Sequence, residues 1–129
     1  MSFIDVTDLL GVRYKKNGRT LKGLDCYGLA LIVSERLGNK LPDFEYDDTT
    51  WETFLSIQKD LRLSDYGMIK GSRPYKEGDL LLFKVDCQFE NHCGIYLGDN
   101  TIIHCNYYGV HIQNLEDYTY EVGSIYRWR

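Results

Sequence analysis

The stretch Glu90-Asn91-His92-Cys93-Gly94-Ile95-Tyr96-Leu97-Gly98-Asp99-Asn100-Thr101-Ile102-Ile103-His104-Cys105-Asn106 sets two β-rich runs about a turn. His92 to Leu97 and Thr101 to Cys105 read as strands, and Gly98-Asp99-Asn100 reads as the hairpin turn between them. If Leu97 faces Thr101 across those three residues, His104 lies opposite Gly94 and diagonal to His92 on one face of the ribbon. Gly94 then leaves room for two imidazoles to meet. A slip of one residue would put the histidines on opposite faces, so this reading commits to one parity of register. On the reverse face the same register sets Cys93 opposite Cys105, two reduced thiols packed against the core.

Upstream, the segment from Gly23 to Gly38 carries Cys26, Leu29, Ala30, Val33 and Leu37 at helical spacing. One face from Cys26 onward should therefore bury against a sheet. Asp25 is a suitable N-cap, Gly38 suits the position just past the C-cap, and Gly23 interrupts whatever precedes. Cys26 then sits in the first helical turn, where unpaired amide groups and the positive end of the helix dipole favour a thiolate. Such a position lowers a thiol pKa from about 8.5 toward ~3.5–7.5, and more so beside an imidazolium. A free cysteine is also a common core residue; the two histidines downstream favour the nucleophile. An attacking thiol needs an imidazole to take its proton, and that imidazole needs a polar group to hold its tautomer. Cys26, His92 and His104 fill those roles in that order.

These residues resemble the NlpC-type cell-wall cysteine peptidases. Asp25-Cys26-Tyr27-Gly28-Leu29 is similar to the D-C-[WY]-G-L form of the nucleophile motif, found in many phage-encoded members. His92 to Gly98 is similar to the base motif H-x-G-I-Y-x-G, and Ile103-His104 to the pair that carries the third catalytic residue. Tyr14 stands where the family carries an oxyanion-stabilising tyrosine, and Pro74 to Phe83 resembles the proline and G-D-L-L-x-F signature. The resemblance runs from about Gly11 to Val110. It implies an α+β, papain-like domain with N-terminal helices packed on an antiparallel sheet. It also implies a Cys26–His92–His104 catalytic site assisted by Tyr14, with no cofactor, and makes Asp25 and Tyr27, beside the nucleophile, candidates for substrate contact. The implied substrate is the amide between γ-D-glutamate and diaminopimelate or lysine in peptidoglycan stem peptides. The phage-like motif implies a virion tail component, with other tail proteins as partners. Two alternatives stay open: a structural tail-assembly protein with little activity, and an acyl or thioester hydrolase of the same fold. Two departures stand out. The family's Tyr-x-x-Gly-Gly turn is Tyr14-Lys15-Lys16-Asn17-Gly18, and residues 41–70 match no assignable motif. Asparagine tolerates the left-handed conformation, so the turn can survive.

A chain of 129 residues can bury one adequate core and leaves no room for a second, so residues 1–129 are expected to form a single domain. With 43% hydrophobic and 14% aromatic residues the composition is that of a globular domain. A net charge of −4 without a basic stripe argues against nucleic acid as a partner. No apolar run reaches the length of a membrane span. The opening Met-Ser-Phe-Ile-Asp-Val-Thr-Asp lacks the features of an export signal, so a product made in the bacterial cytoplasm without processing is expected.

Phe3 to Leu10 reads as a short amphipathic helix, and Thr50 to Leu63 as a longer one with Trp51, Phe54, Leu55, Gln58 and Leu61 along one side. Strands are expected at Asp79 to Val85, Val110 to Asn114 and Ser124 to Trp128, besides the two histidine-bearing runs. Cys26, Cys87, Cys93 and Cys105 with His92 and His104 could in principle ligate zinc. Within each His-Cys pair, however, the neighbours point to opposite faces of a strand, and no C-x-x-C spacing exists, so no metal site is expected. His111, alone in a later strand, reads as non-functional.

Overall fold

The computed structural model describes residues 4–59 and 67–129. Its elements run β1 (Arg19–Thr20), β2 (Gly23–Leu24), α1 (Cys26–Arg36), α2 (Trp51–Lys59), β3 (Met68–Lys70), β4 (Leu80–Lys84), β5 (His92–Gly98), β6 (Thr101–Asn106), β7 (Gly109–Asn114) and β8 (Glu121–Trp128). β1 and β2 form a small hairpin, and the other six strands one antiparallel sheet in the order β3-β8-β4-β5-β6-β7. The architecture is α+β, with both helices ahead of the main sheet.

Helix α1 begins where Asp25 caps it: the Gly28 amide donates to Asp25 Oδ1 at 2.7 Å. It ends in a Schellman turn, with Gly38 at φ 89°, the Gly38 amide bonded to Glu35 O and the Asn39 amide to Ser34 O. Its first five residues are all buried, Tyr27 and Gly28 included, and Ser34 is buried near its end, so more than the anticipated stripe is covered. Gly28 shows why. A β-carbon there would fall within van der Waals contact of the Gly18 carbonyl oxygen, so the turn after Tyr14 presses directly on the helix backbone. In that turn Asn17 holds φ 60°, and the Gly18 amide donates to Lys15 O at 2.8 Å, so asparagine supports the geometry.

The sheet is covered on both faces, which is why Leu80-Leu81-Leu82-Phe83 is buried throughout instead of alternating. Leu80, Leu82, Cys93, Ile95, Ile103 and Cys105 join α1 residues Leu29, Ala30 and Val33 in the main core. Leu81, Phe83 and Ile102 form a second cluster beneath Tyr96, Tyr118 and Val122.

Several sequence expectations need revision. The opening segment forms only a 3₁₀ turn, Thr7–Leu9, because Leu10 is extended and Gly11 takes φ 84° so that its amide can bond Val110 O; Phe3 lies outside the described residues. In α2 the buried residues are Phe54 and Ile57, while Leu55 is exposed, and positions 60–63 of the anticipated helix lie outside the described residues. The β5–β6 turn has two residues, Asp99 and Asn100, both at positive φ, and Gly98 pairs with Thr101. A register shift between Tyr96 and Gly98 absorbs the difference, so Gly94 still pairs with His104.

Candidate active site

Cys26 opens α1 and is 2% exposed. The Cys93 side chain and the His92 imidazole are the groups that act on its thiol. Cys93 does most to lower the Cys26 pKa, burial opposes it, and His92 lowers it further, leaving it below the ordinary thiol range. Cys93 is pushed well above the ordinary thiol range by burial and by its sulfur neighbour, so it stays protonated. Cys105 donates instead to Leu24 O at 3.2 Å, and burial raises its pKa to about 12. Of the three buried thiols, Cys26 is thus the one whose ionisation its surroundings favour.

His92 begins β5, and His104 lies in β6 directly across from Gly94. The His92 Nε2 stands 2.8 Å from His104 Nδ1, which leaves His92 Nδ1 as the ring nitrogen for Cys26. His104 is 1% exposed; burial, then the neighbouring His92, pushes its pKa down to about 4, so it is neutral at physiological pH. Its Nε2 lies 3.0 Å from Gln113 Oε1 on β7. A chain of contacts thus runs from sulfur through two imidazoles to a side-chain amide across three adjacent strands.

A cleft of about 250 Å³ opens onto Cys26 and His92, with Tyr14, Asn106, Tyr107, Tyr118 and Tyr120 among its walls. A larger hollow of about 450 Å³, lined by Arg19, Asp43 and Tyr46, includes neither Cys26 nor the histidines. The Tyr14 hydroxyl faces Asp48 at 3.5 Å; burial and then that carboxylate raise its pKa, so it remains a donor. Its ring packs edge-on against Tyr107, with centroids 4.8 Å apart.

The structure brings Tyr14, Cys26 and His92 to the cleft and puts His104 behind His92. Asp25 and Tyr27, read as substrate contacts, are instead internal at 1% exposure each. The Asp25 carboxylate is occupied by the Gly28 amide, Arg19 Nη1 at 3.0 Å and the Tyr46 hydroxyl at 2.7 Å; Tyr27 donates its hydroxyl to Pro42 O at 2.7 Å. Both hold the helix start in place, because a side chain flanking the first turn points into the loops that pack on it. Three contributors escaped the sequence reading. Cys93 was read as core, although it adjoins the base and faces α1. His111 pairs with His104 across the strands, their ring centroids 4.3 Å apart. Gln113 follows two residues later on that same face, a position that the pairing of β6 with β7 around Gly109 could have exposed. Among the described residues no group of three His, Cys, Asp or Glu side chains is arranged to hold a metal ion.

The sequence pattern of the NlpC/P60 family matches residues 11–126. The chain belongs to the NlpC/P60 family. It is 30% identical over 100 residues to Murein DD-endopeptidase MepS/Murein LD-carboxypeptidase of Escherichia coli K12, covering 77% of this chain and 45% of that protein. A probable endopeptidase NlpC homolog of Haemophilus influenzae is 31% identical over 110 residues, 84% of this chain and 50% of the relative. The solved structure of NlpC2 from Trichomonas vaginalis superposes with a TM-score of 0.65 at 26% identity, covering 95% of this chain and 44% of that one. This NlpC/P60 domain thus spans half or less of the length of these proteins.

Proposed function

We propose that this NlpC/P60 domain is a cysteine peptidase that hydrolyses the γ-D-glutamyl–diaminopimelate, or γ-D-glutamyl–lysine, amide of peptidoglycan stem peptides. The carrying observation is the Cys26 thiol at a helix start, sharing a cleft with a His92 whose Nε2 is 2.8 Å from a neutral His104. Attack of the thiolate on the acyl carbon forms a C–S bond and puts charge on the carbonyl oxygen. The Cys26 amide, which has no acceptor within the helix, and the Tyr14 hydroxyl supply donors for that oxyanion. His92 then delivers its Nδ1 proton to the leaving amine, and a thioester forms. Water, deprotonated by His92, releases the acid and restores the thiol. The phage-type Asp25-Cys26-Tyr27-Gly28-Leu29 motif supports a setting in a phage or prophage tail, with other tail proteins as partners.

Mass spectrometry of muropeptides incubated with the purified protein tests this reading. The expected products are a new γ-linked D-glutamate carboxylate and a fragment that begins with the diaminopimelate or lysine amine, both absent with Cys26→Ala. Products of DD-endopeptidase or LD-carboxypeptidase cleavage would favour the activities named for the E. coli relative. Turnover of simple esters alone would favour an acyl hydrolase, and inertness with an unreactive Cys26 a structural role. Antibody labelling of purified virions tests the tail setting; unlabelled tails would remove it.

A further inference from the structure

We infer that Gln113 is a positioning residue: by accepting the Nε2–H of His104 it selects the ring tautomers that leave His92 able to act as a base. The inference rests on reading Cys26 and His92 as the reacting pair. His104 is neutral, so it carries one ring proton, and both of its nitrogens are committed, Nδ1 to His92 Nε2 at 2.8 Å and Nε2 to Gln113 Oε1 at 3.0 Å. Only two arrangements exist. With the proton on Nε2, Gln113 accepts it, His104 Nδ1 accepts the Nε2–H of His92, and His92 Nδ1 presents its lone pair toward Cys26. Transfer of the thiol proton to that Nδ1 breaks the S–H bond and makes an N–H bond, while His92 keeps its Nε2–H on His104. With the proton on His104 Nδ1, that N–H is donated to His92 Nε2. Neutral His92 must then carry its own proton on Nδ1, aimed at the sulfur, and cannot accept another. The Gln113 oxygen would also face a lone pair at 3.0 Å, two acceptors without a proton between them. The carbonyl of Gln113 disfavours this second, unproductive state.

The other groups around the ring do not take this role. His111 packs tilted against His104 with its Nδ1 at 3.1 Å from Gly109 O, and Tyr118 meets the ring edge-on with centroids 5.1 Å apart. Gln113 lies on β7, remote in sequence from both histidines, and its position comes from the β6–β7 pairing that sets Ile102 against Gln113 and His104 against His111.

The test is the ring tautomer, read by long-range ¹H–¹⁵N correlation at neutral pH in the wild-type protein, Gln113→Met and Gln113→Glu. Methionine keeps the length without a strong acceptor, and glutamate keeps an acceptor that cannot turn into a donor. Expected are a protonated Nε2 on His104 in the wild type, a mixture of tautomers in Gln113→Met, and restored Nε2–H in Gln113→Glu. Kinetically, Gln113→Met should lower kcat about 10–100-fold with KM nearly unchanged, the usual size for an outer partner that orients a histidine, and Gln113→Glu should recover part of that loss. A wild-type His104 protonated on Nδ1 overturns the inference without recourse to any variant. So does a Gln113→Met protein with unchanged tautomers and kcat, or equal losses in both variants. The tautomer readout needs no substrate, so it separates failure of this inference from failure of the peptidoglycan reading.

Discussion

Around Cys26, the Cys93 thiol acts beside the imidazole that a catalytic reading would credit first. A neutral thiol next to the sulfur favours the thiolate in a site where burial alone would favour the neutral form. The Cys26 pKa is depressed on folding, so the stability that the thiolate contributes is complete above the unfolded value of about 8.5 and is lost as pH falls through the lowered folded value. Alkylation by iodoacetamide, followed on the Cys26 peptide by mass spectrometry, should therefore rise with a midpoint below the ordinary thiol range. Cys93→Val keeps the volume close but removes the donor, and the midpoint should move up. An unchanged midpoint would show that the imidazole alone holds the thiolate.

At the scale of elements, α1 is positioned by contacts that allow no side chain at its third residue. Gly28→Ala would gain about 1 kcal/mol of helix propensity, but the new methyl would meet the Gly18 carbonyl, and backbone cannot rotate away as a side chain can. Overpacking of this kind costs about 1–3 kcal/mol, so the clash outweighs the propensity and urea denaturation should show a net loss. A neutral or stabilising result would mean that the turn after Tyr14 yields freely. The glycine of the nucleophile motif thus reflects close approach of two backbones. The β5–β6 hairpin carries a related lesson: a two-residue turn with a bulge and a three-residue turn without one set the same partner opposite His104.

Across the whole molecule, strand β8 lies between β3 and β4, so the sheet is completed only when this late strand returns to lie between two earlier ones. Arg127 secures that return. Its Nε and Nη2 reach the two oxygens of Asp79 at 2.9 and 2.7 Å, and Asp79, from the Gly-Asp-Leu-Leu signature, is 1% exposed. Arg127→Ala would leave that carboxylate buried without its cationic partner, holding only the Lys76 amide. Losses of this type run to about 3–5 kcal/mol, and the 21% exposure of the Arg127 side chain favours the lower end. Urea unfolding should register about 3 kcal/mol, while a loss below about 1 kcal/mol would show that water replaces the guanidinium.

The sequence by itself determined the parts governed by short-range rules. Asp25 before Cys26 caps a helix because its carboxylate reaches an amide three residues on, and once Gly94 is paired with His104, strand alternation from His92 to Cys105 sets the histidines on one face. Tertiary structure alone decided which side chains meet from distant stretches. That Asp25 and Tyr27 turn inward depends on the loops carrying Arg19, Pro42 and Tyr46, which pack around the helix start. That Cys93 reaches Cys26 depends on how α1 seats on β5, and that Gln113 reaches His104 depends on a third strand. Local periodicity records which way a residue faces; only the packing of one element on another decides what it faces.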